Sequence, residues 1–125
     1  MPRILVVDDS RLTRRVIIGV LTAAGHEVVQ AGDGEQGFAL FQEQEFDCVI
    51  SDLLMPVLDG FALAEKIRAV DSRIPLLVAT ADIQEHSRQR CKEIGVTLVL
   101  NKPLSRKQIV GAVDKAIMDR QTVES

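Results

Sequence analysis

Val49-Ile50-Ser51-Asp52-Leu53-Leu54-Met55-Pro56-Val57-Leu58-Asp59-Gly60 decides how the rest of the chain is read. A short β-rich apolar run that begins at Cys48 stops abruptly on the carboxylate of Asp52. Pro56 and Gly60 then hold a loop, and Asp59 stands where it can cap a following helix. Strand, loop and helix in that order make up the unit from which parallel sheets are built. Open sheets of this kind place ligands and chemistry at the C-terminal ends of their strands. A carboxylate there can be a nucleophile, a metal ligand or merely a cap.

Working outward, the same unit recurs. Arg3–Val7 is an apolar run stopped by Asp8-Asp9, and Ser10 is a good N-cap for the helix that follows. Leu12, Val16, Val20 and Ala24 form an apolar stripe at helical spacing, thickened by Thr13, Ile17 and Leu21. Arg11, Arg14 and Arg15 fall toward the other side and read as a solvated face. Gly25 closes that helix, and Glu27–Gln30 is a weaker second strand. Asp33 and Gln36 look like a capping box before a helix with Phe38, Leu40 and Phe41.

Beyond the Asp52 loop, Phe61, Leu63, Ala64 and Ile67 mark a third helix. Leu76–Ala79 reads as a fourth strand that stops at Thr80. The segment from Ile83 to Ile94 is predicted as a polar helix whose strong apolar residues are only Ile83, Cys91 and Ile94. Thr97–Leu100 is the fifth strand and ends at Asn101-Lys102-Pro103. Ser105 and Gln108 make a second capping box, and Ile109, Val113 and Ile117 align the last helix. Residues 121–125 read as a frayed tail.

Strands alternating with helices in this way predict a doubly wound α/β fold, a five-stranded parallel sheet with helices on both faces. The flavodoxin-like strand order 2-1-3-4-5 sets the ends of the first and third strands side by side. Asp8, Asp9 and Asp52 then converge.

Composition narrows the function. The 125 residues suit one domain with a sizeable core, since 46% are hydrophobic. Fifteen Lys and Arg against 18 Asp and Glu give a net charge of -3, which argues against direct nucleic-acid binding. No apolar run is long enough for a membrane span or a signal-peptide core. Cys48 and Cys91 are single and far apart, so a reduced, cytoplasmic protein is expected. Both read as core filler, and His26 and His86 read as exposed.

Three carboxylates in one place repel, by roughly 4 kcal/mol per pair at about 4 Å and an effective dielectric near 20. Such a cluster needs a bound cation or must raise a pKa, and an all-oxygen donor set suits Mg²⁺. Lys102 adds a fixed positive charge and Thr80 a neutral hydroxyl donor. Carboxylate, Mg²⁺, ammonium and hydroxyl together suit a transferring phosphoryl group, with Asp52 as the nucleophile and an acyl phosphate as the product.

Val-Val-Asp8-Asp9-Ser, Asp52-Leu-Leu-Met55-Pro56-Val-Leu-Asp59-Gly60, Ala79-Thr80-Ala81 and Asn101-Lys102-Pro103 together resemble the response-regulator receiver domain of two-component signalling, over about residues 3–120. The likeness is to a stand-alone, chemotaxis-regulator-like receiver with no output domain. It implies that Asp52 takes a phosphoryl group from the phosphohistidine of a histidine kinase or histidine phosphotransfer protein. It also implies that Asp9, Asp52 and the Leu54 backbone carbonyl bind Mg²⁺ directly and Asp8 through water, while Lys102 and Thr80 hold phosphoryl oxygens. Such a module is a signalling phosphoacceptor rather than an enzyme, promoting only its own phosphorylation and slow dephosphorylation. Its output is an unidentified downstream protein, and it is a monomer or a weak dimer. The Lys102-Pro103 bond is expected to be cis, and this family uses its first helix to dock phosphodonors.

Two other classes share parts of this pattern. A haloacid-dehalogenase-type phosphatase carries its nucleophile on the first strand as Asp-x-Asp, whereas Asp8 and Asp9 are adjacent. A flavodoxin-like electron carrier needs a phosphate loop where Asp8-Asp9 stands, and the chain has no Trp or Tyr to stack on a flavin. Asp59 is better explained as a cap than as a ligand. Val99 departs from the receiver pattern, standing where a switch aromatic is often found, and apolar Leu54 occupies a position at which the family varies widely.

Overall fold

The computed structural model describes residues 1–82 and 84–124. Among them, five strands alternate with five helices: β1 (Arg3–Val7), α1 (Arg11–Ala23), β2 (Glu27–Ala31), α2 (Gly34–Glu43), β3 (Cys48–Ser51), α3 (Gly60–Val70), β4 (Leu76–Thr80), α4 (Glu85–Ile94), β5 (Leu98–Asn101) and α5 (Arg106–Glu124). All pairings are parallel, in the order β2-β1-β3-β4-β5. This is the expected flavodoxin-like doubly wound fold.

The three inner strands are buried almost throughout because helices cover both faces, which is why they read as unbroken apolar runs. Alternate residues divide between the two layers. Ile4, Val6, Cys48, Ile50 and Leu77 meet Ile17 and Leu21 of α1 and Ile109 and Val113 of α5. Leu5, Val7, Val49 and Leu76 meet Phe41 of α2 and Leu63 and Ile67 of α3. Leu53 and Val78 form a smaller cluster with Phe61 and with Cys91 of α4. The edge strands β2 and β5 are only partly covered.

Most caps stand where the sequence predicts them. Ser10, Asp33 and Asp59 each accept a first-turn amide. Gly25, at φ 93°, closes α1, with amides of Gly25 and His26 returning to Thr22 and Leu21. The Ser105–Gln108 box is complete in both directions. In the Asp33 box, Gln36 instead returns its side-chain amide to the Asp33 carboxylate, at 3.0 Å.

Several expectations need correction. The buried face of α1 is narrower than the predicted stripe: Ile17 and Leu21 are buried and Val20 packs against the core, whereas Leu12 is 72% exposed, Val16 49%, and Ala24 is exposed. Adjacent rows of a helix lie about 100° apart, and packing onto the sheet, not periodicity, chooses between them. β3 and β4 each run one residue further than expected, through Ser51 and Thr80, and β5 is shifted one residue on. The helix backbone of α5 continues to Glu124 where fraying was expected from residue 121. Ile83, expected to open α4, lies outside the described residues, as does Ser125 at the end of the tail.

Candidate functional site

Register builds the site. Val7 of β1 pairs with Ser51 of β3, so the next residues, Asp8 and Asp52, leave the sheet side by side. The Asp52 amide donates to Val7 O at 3.0 Å. On the other side Thr80 pairs with Asn101, and the Lys102 amide returns to Thr80 O at 2.8 Å. Four strand ends therefore deliver Asp8, Asp52, Thr80 and Lys102 to one edge of the sheet.

Carboxylate oxygens of Asp8, Asp9 and Asp52 lie within 4.8 Å of one another. Asp8 and Asp52 are buried and Asp9 is exposed. Lys102 Nζ donates to Asp8 Oδ2 at 2.7 Å and to Asp52 Oδ2 at 3.0 Å. Burial works against the ammonium, but hydrogen bonds to the two carboxylates outweigh it, so Lys102 titrates above the ordinary lysine value. Asp52 Oδ1 accepts the Leu53 amide at 2.7 Å, and Asp8 Oδ1 accepts the Ser10 amide at 2.9 Å. One lysine thus partly neutralises two buried carboxylates, and the exposed Asp9 opens the cluster to solvent. That donor set is all oxygen, carries surplus negative charge and has an accessible side, which fits a hard divalent cation.

The loop after β3 is closed by contact. Gly60 N donates to Leu53 O at 2.8 Å, and a Cβ at Gly60 would lie 1.9 Å from Asp52 O. Asp59 acts as a cap, accepting the Ala62 amide at 2.9 Å. Val57 holds φ 69°, a left-handed conformation uncommon for a β-branched residue. The Lys102-Pro103 bond is cis, as expected.

Thr80 is buried, and its hydroxyl oxygen accepts the Asp82 amide at 3.1 Å. Asp82 in turn accepts from Gln84 N at 2.9 Å and from Ser87 Oγ at 2.6 Å. The Ser87 hydroxyl and Gln84 amide hold its carboxyl below the usual range. Asp82 went unrecognised in the sequence, where an acid just ahead of a helix is the available signal. Only Ser87 and Cys91 of α4 are buried. Polar ties supplement them: Arg90 lies 4.2 Å over the Phe61 ring and 3.5 Å from Glu65, and Arg88 donates to Asn101.

Two readings of basic and imidazole side chains are corrected. Arg14 is not part of a solvated face: it turns inward, donating to Asp8 O and, at 3.1 Å, to Gln30 Oε1. His26 is buried, not exposed, with Nε2 3.1 Å from Asp114 Oδ1. It sits beside the N-terminal end of β2, away from the carboxylates, while His86 is exposed as expected. A groove of about 1050 Å³ at that opposite end is lined by Arg3, Gln44, Phe46, Asp47 and Arg73, so concavity alone does not point to the chemistry.

The family model for the response regulator receiver domain matches residues 4–114. The chain belongs to that family. It is therefore a receiver domain of two-component signalling, a phosphoacceptor module, and neither rival class stands. The chemotaxis response regulator CheY4 of Vibrio cholerae superposes with a TM-score of 0.87 at 32% identity, covering 93% of this chain and 98% of that one. The receiver domain of sensor histidine kinase PA1611 from Pseudomonas aeruginosa PAO1, with magnesium coordinated in its active-site cleft, gives 0.87 at 29% identity, covering 94% and 98%. The sensor histidine kinase RcsC of Escherichia coli K12 is 34% identical over 102 residues, 82% of this receiver but 11% of the kinase. Among the described residues no helix is long and apolar enough to cross a membrane.

Proposed function

We propose that Asp52 is the phosphoacceptor, with Mg²⁺ held directly by Asp9, Asp52 and the Leu54 carbonyl and through water by Asp8. The observation that carries this reading is the single ammonium of Lys102 on both Asp8 and Asp52, beside a third carboxylate. When bound, the ion supplies charge neutralisation between the carboxylates and the incoming phosphoryl oxygens. An Asp52 oxygen attacks phosphorus, the P–N bond to the donor imidazole breaks, and the imidazole leaves with the electron pair. Lys102 exchanges its bond to Asp52 Oδ2 for a phosphoryl oxygen, and the Thr80 hydroxyl turns from the Asp82 amide to donate to another. The donor is a histidine kinase or phosphotransfer protein, and the output is a protein partner. Supporting this reading, similar proteins include a chemotaxis regulator and kinase-borne receivers. Intact mass after incubation with acetyl phosphate and Mg²⁺ tests it: one phosphoryl group is expected, labile to base and hydroxylamine.

Readout follows from the Thr80 contacts. Once the hydroxyl turns, the Asp82 amide loses its acceptor, and Asp82 is the residue that ties the loop to Ser87 and the start of α4. Val99, half-buried and β-branched, has little rotamer freedom to contribute. Amide hydrogen exchange with and without beryllofluoride, which stands in for the phosphoryl group, should therefore change mainly over residues 80–94. The change should persist in Val99→Ala and shrink in Thr80→Ala. The reverse pattern would sink the idea.

A further inference from the structure

Asp8 is tied at every polar atom, and one tie comes from a side chain outside the carboxylate–lysine group. Its amide donates to Ala31 O at 3.2 Å, Oδ1 accepts from Ser10 N, and Oδ2 accepts from Lys102. Its carbonyl oxygen accepts from Arg14 Nη1. That carbonyl belongs to the peptide plane shared with Asp9, so its direction sets the angle at which Asp9 leaves the chain. Among the described residues the Asp9 carboxylate has no hydrogen-bond partner, so its placement rests on the backbone and its own rotamer.

Arg14 is itself held. Its Nε donates to Gln30 Oε1 at 3.1 Å, at the far side of β1, and its Nη1 lies 3.4 Å from where a Cβ on Gly32 would stand. A planar guanidinium holds both acceptors from different nitrogens of one rigid fork, whereas a lysine offers a single freely rotating ammonium. We propose that Arg14 is a positioning residue for the divalent-cation site, clamping the Asp8 carbonyl so that Asp9 is aimed at the ion. This rests on the reading of the three aspartates as that site.

Charge and position predict opposite signs. As a bare cation near a cation site, Arg14 opposes binding, and its removal would tighten Mg²⁺. As a clamp, it favours binding, and its removal weakens Mg²⁺ by roughly tenfold, the lower range for lost supporting contacts. Backbone amide resonances titrated with Mg²⁺ read the affinity without any phosphorylation. The parent, Arg14→Ala, Arg14→Lys and Gln30→Ala are compared, each with its thermal midpoint. Expected are weakened binding in Arg14→Ala, a smaller loss in Arg14→Lys, and a loss in Gln30→Ala, which changes no charge and touches no carboxylate. Binding equal to or tighter than the parent's in Arg14→Ala overturns the proposal, and if that variant is unfolded, parent-like affinity in Arg14→Lys and Gln30→Ala does so. A parent that shows no Mg²⁺ response at all overturns the metal-site reading itself.

Discussion

Asp52→Asn is expected to gain no phosphoryl group from acetyl phosphate under conditions in which the parent gains one. An amide cannot form the mixed anhydride, and the substitution keeps the size of the side chain in its buried place. The fold is expected to survive, because Lys102 loses one acceptor at 3.0 Å but keeps Asp8 at 2.7 Å. Loss of labelling in a folded variant therefore reports chemistry, not collapse. Intact mass on parent and variant, with thermal unfolding alongside, makes the comparison. Equal labelling of Asp52→Asn would show that another residue accepts the group, and undiminished labelling of the parent with every divalent cation removed would overturn the role of Mg²⁺.

Gly60→Ala is expected to be the most damaging of the small substitutions. The added Cβ would meet Asp52 O at 1.9 Å and Leu53 Cα at 2.6 Å, both backbone atoms that cannot swing away. Relief requires moving the end of β3 against its paired neighbours, at a cost of more than about 3 kcal/mol. In a domain of this size that lowers the thermal midpoint by about 10 °C or more. Gly19→Ala is the control: it lies in α1 with nothing within 4 Å of the new Cβ, and there the same change should stabilise by about 0.5–1 kcal/mol. A Gly60→Ala midpoint within the error of the parent would contradict the close approach.

The site was legible in the sequence because each of its residues follows an apolar run, and strand order then brings the run ends together. Asp8, Asp52, Thr80 and Lys102 all sit where a strand leaves the sheet. What stayed hidden depends on contacts between distant segments. Nothing near His26 announces Asp114, 88 residues on, as the partner that allows an imidazole to be buried. Arg14 reads as surface because its acceptors are a backbone carbonyl and a glutamine from another strand, neither of which leaves a pattern. The burial of Ile17 rather than Val16 was undecidable from periodicity, since both rows are apolar. The Asp82 tie was missed for a different reason: its partner Ser87 is a small polar residue that reads as part of a solvated helix.

The thinness of the buried face of α4 has a consequence for labelling chemistry. The chain contains neither Trp nor Tyr, so it has no strong intrinsic fluorophore. It does have two thiols shielded to different depths of structure. Cys91 is 1% exposed on α4, and burial raises its thiol above the ordinary value. Cys48 is fully buried at the start of the central strand β3, where burial pushes its thiol up to about 12. An alkylating reagent is expected to reach Cys91 when α4 lifts, but Cys48 only when β3 and its neighbours come apart. The ratio of the two alkylation rates separates helix departure from whole-domain opening in the unmodified protein, with Cys48 as the internal reference clock.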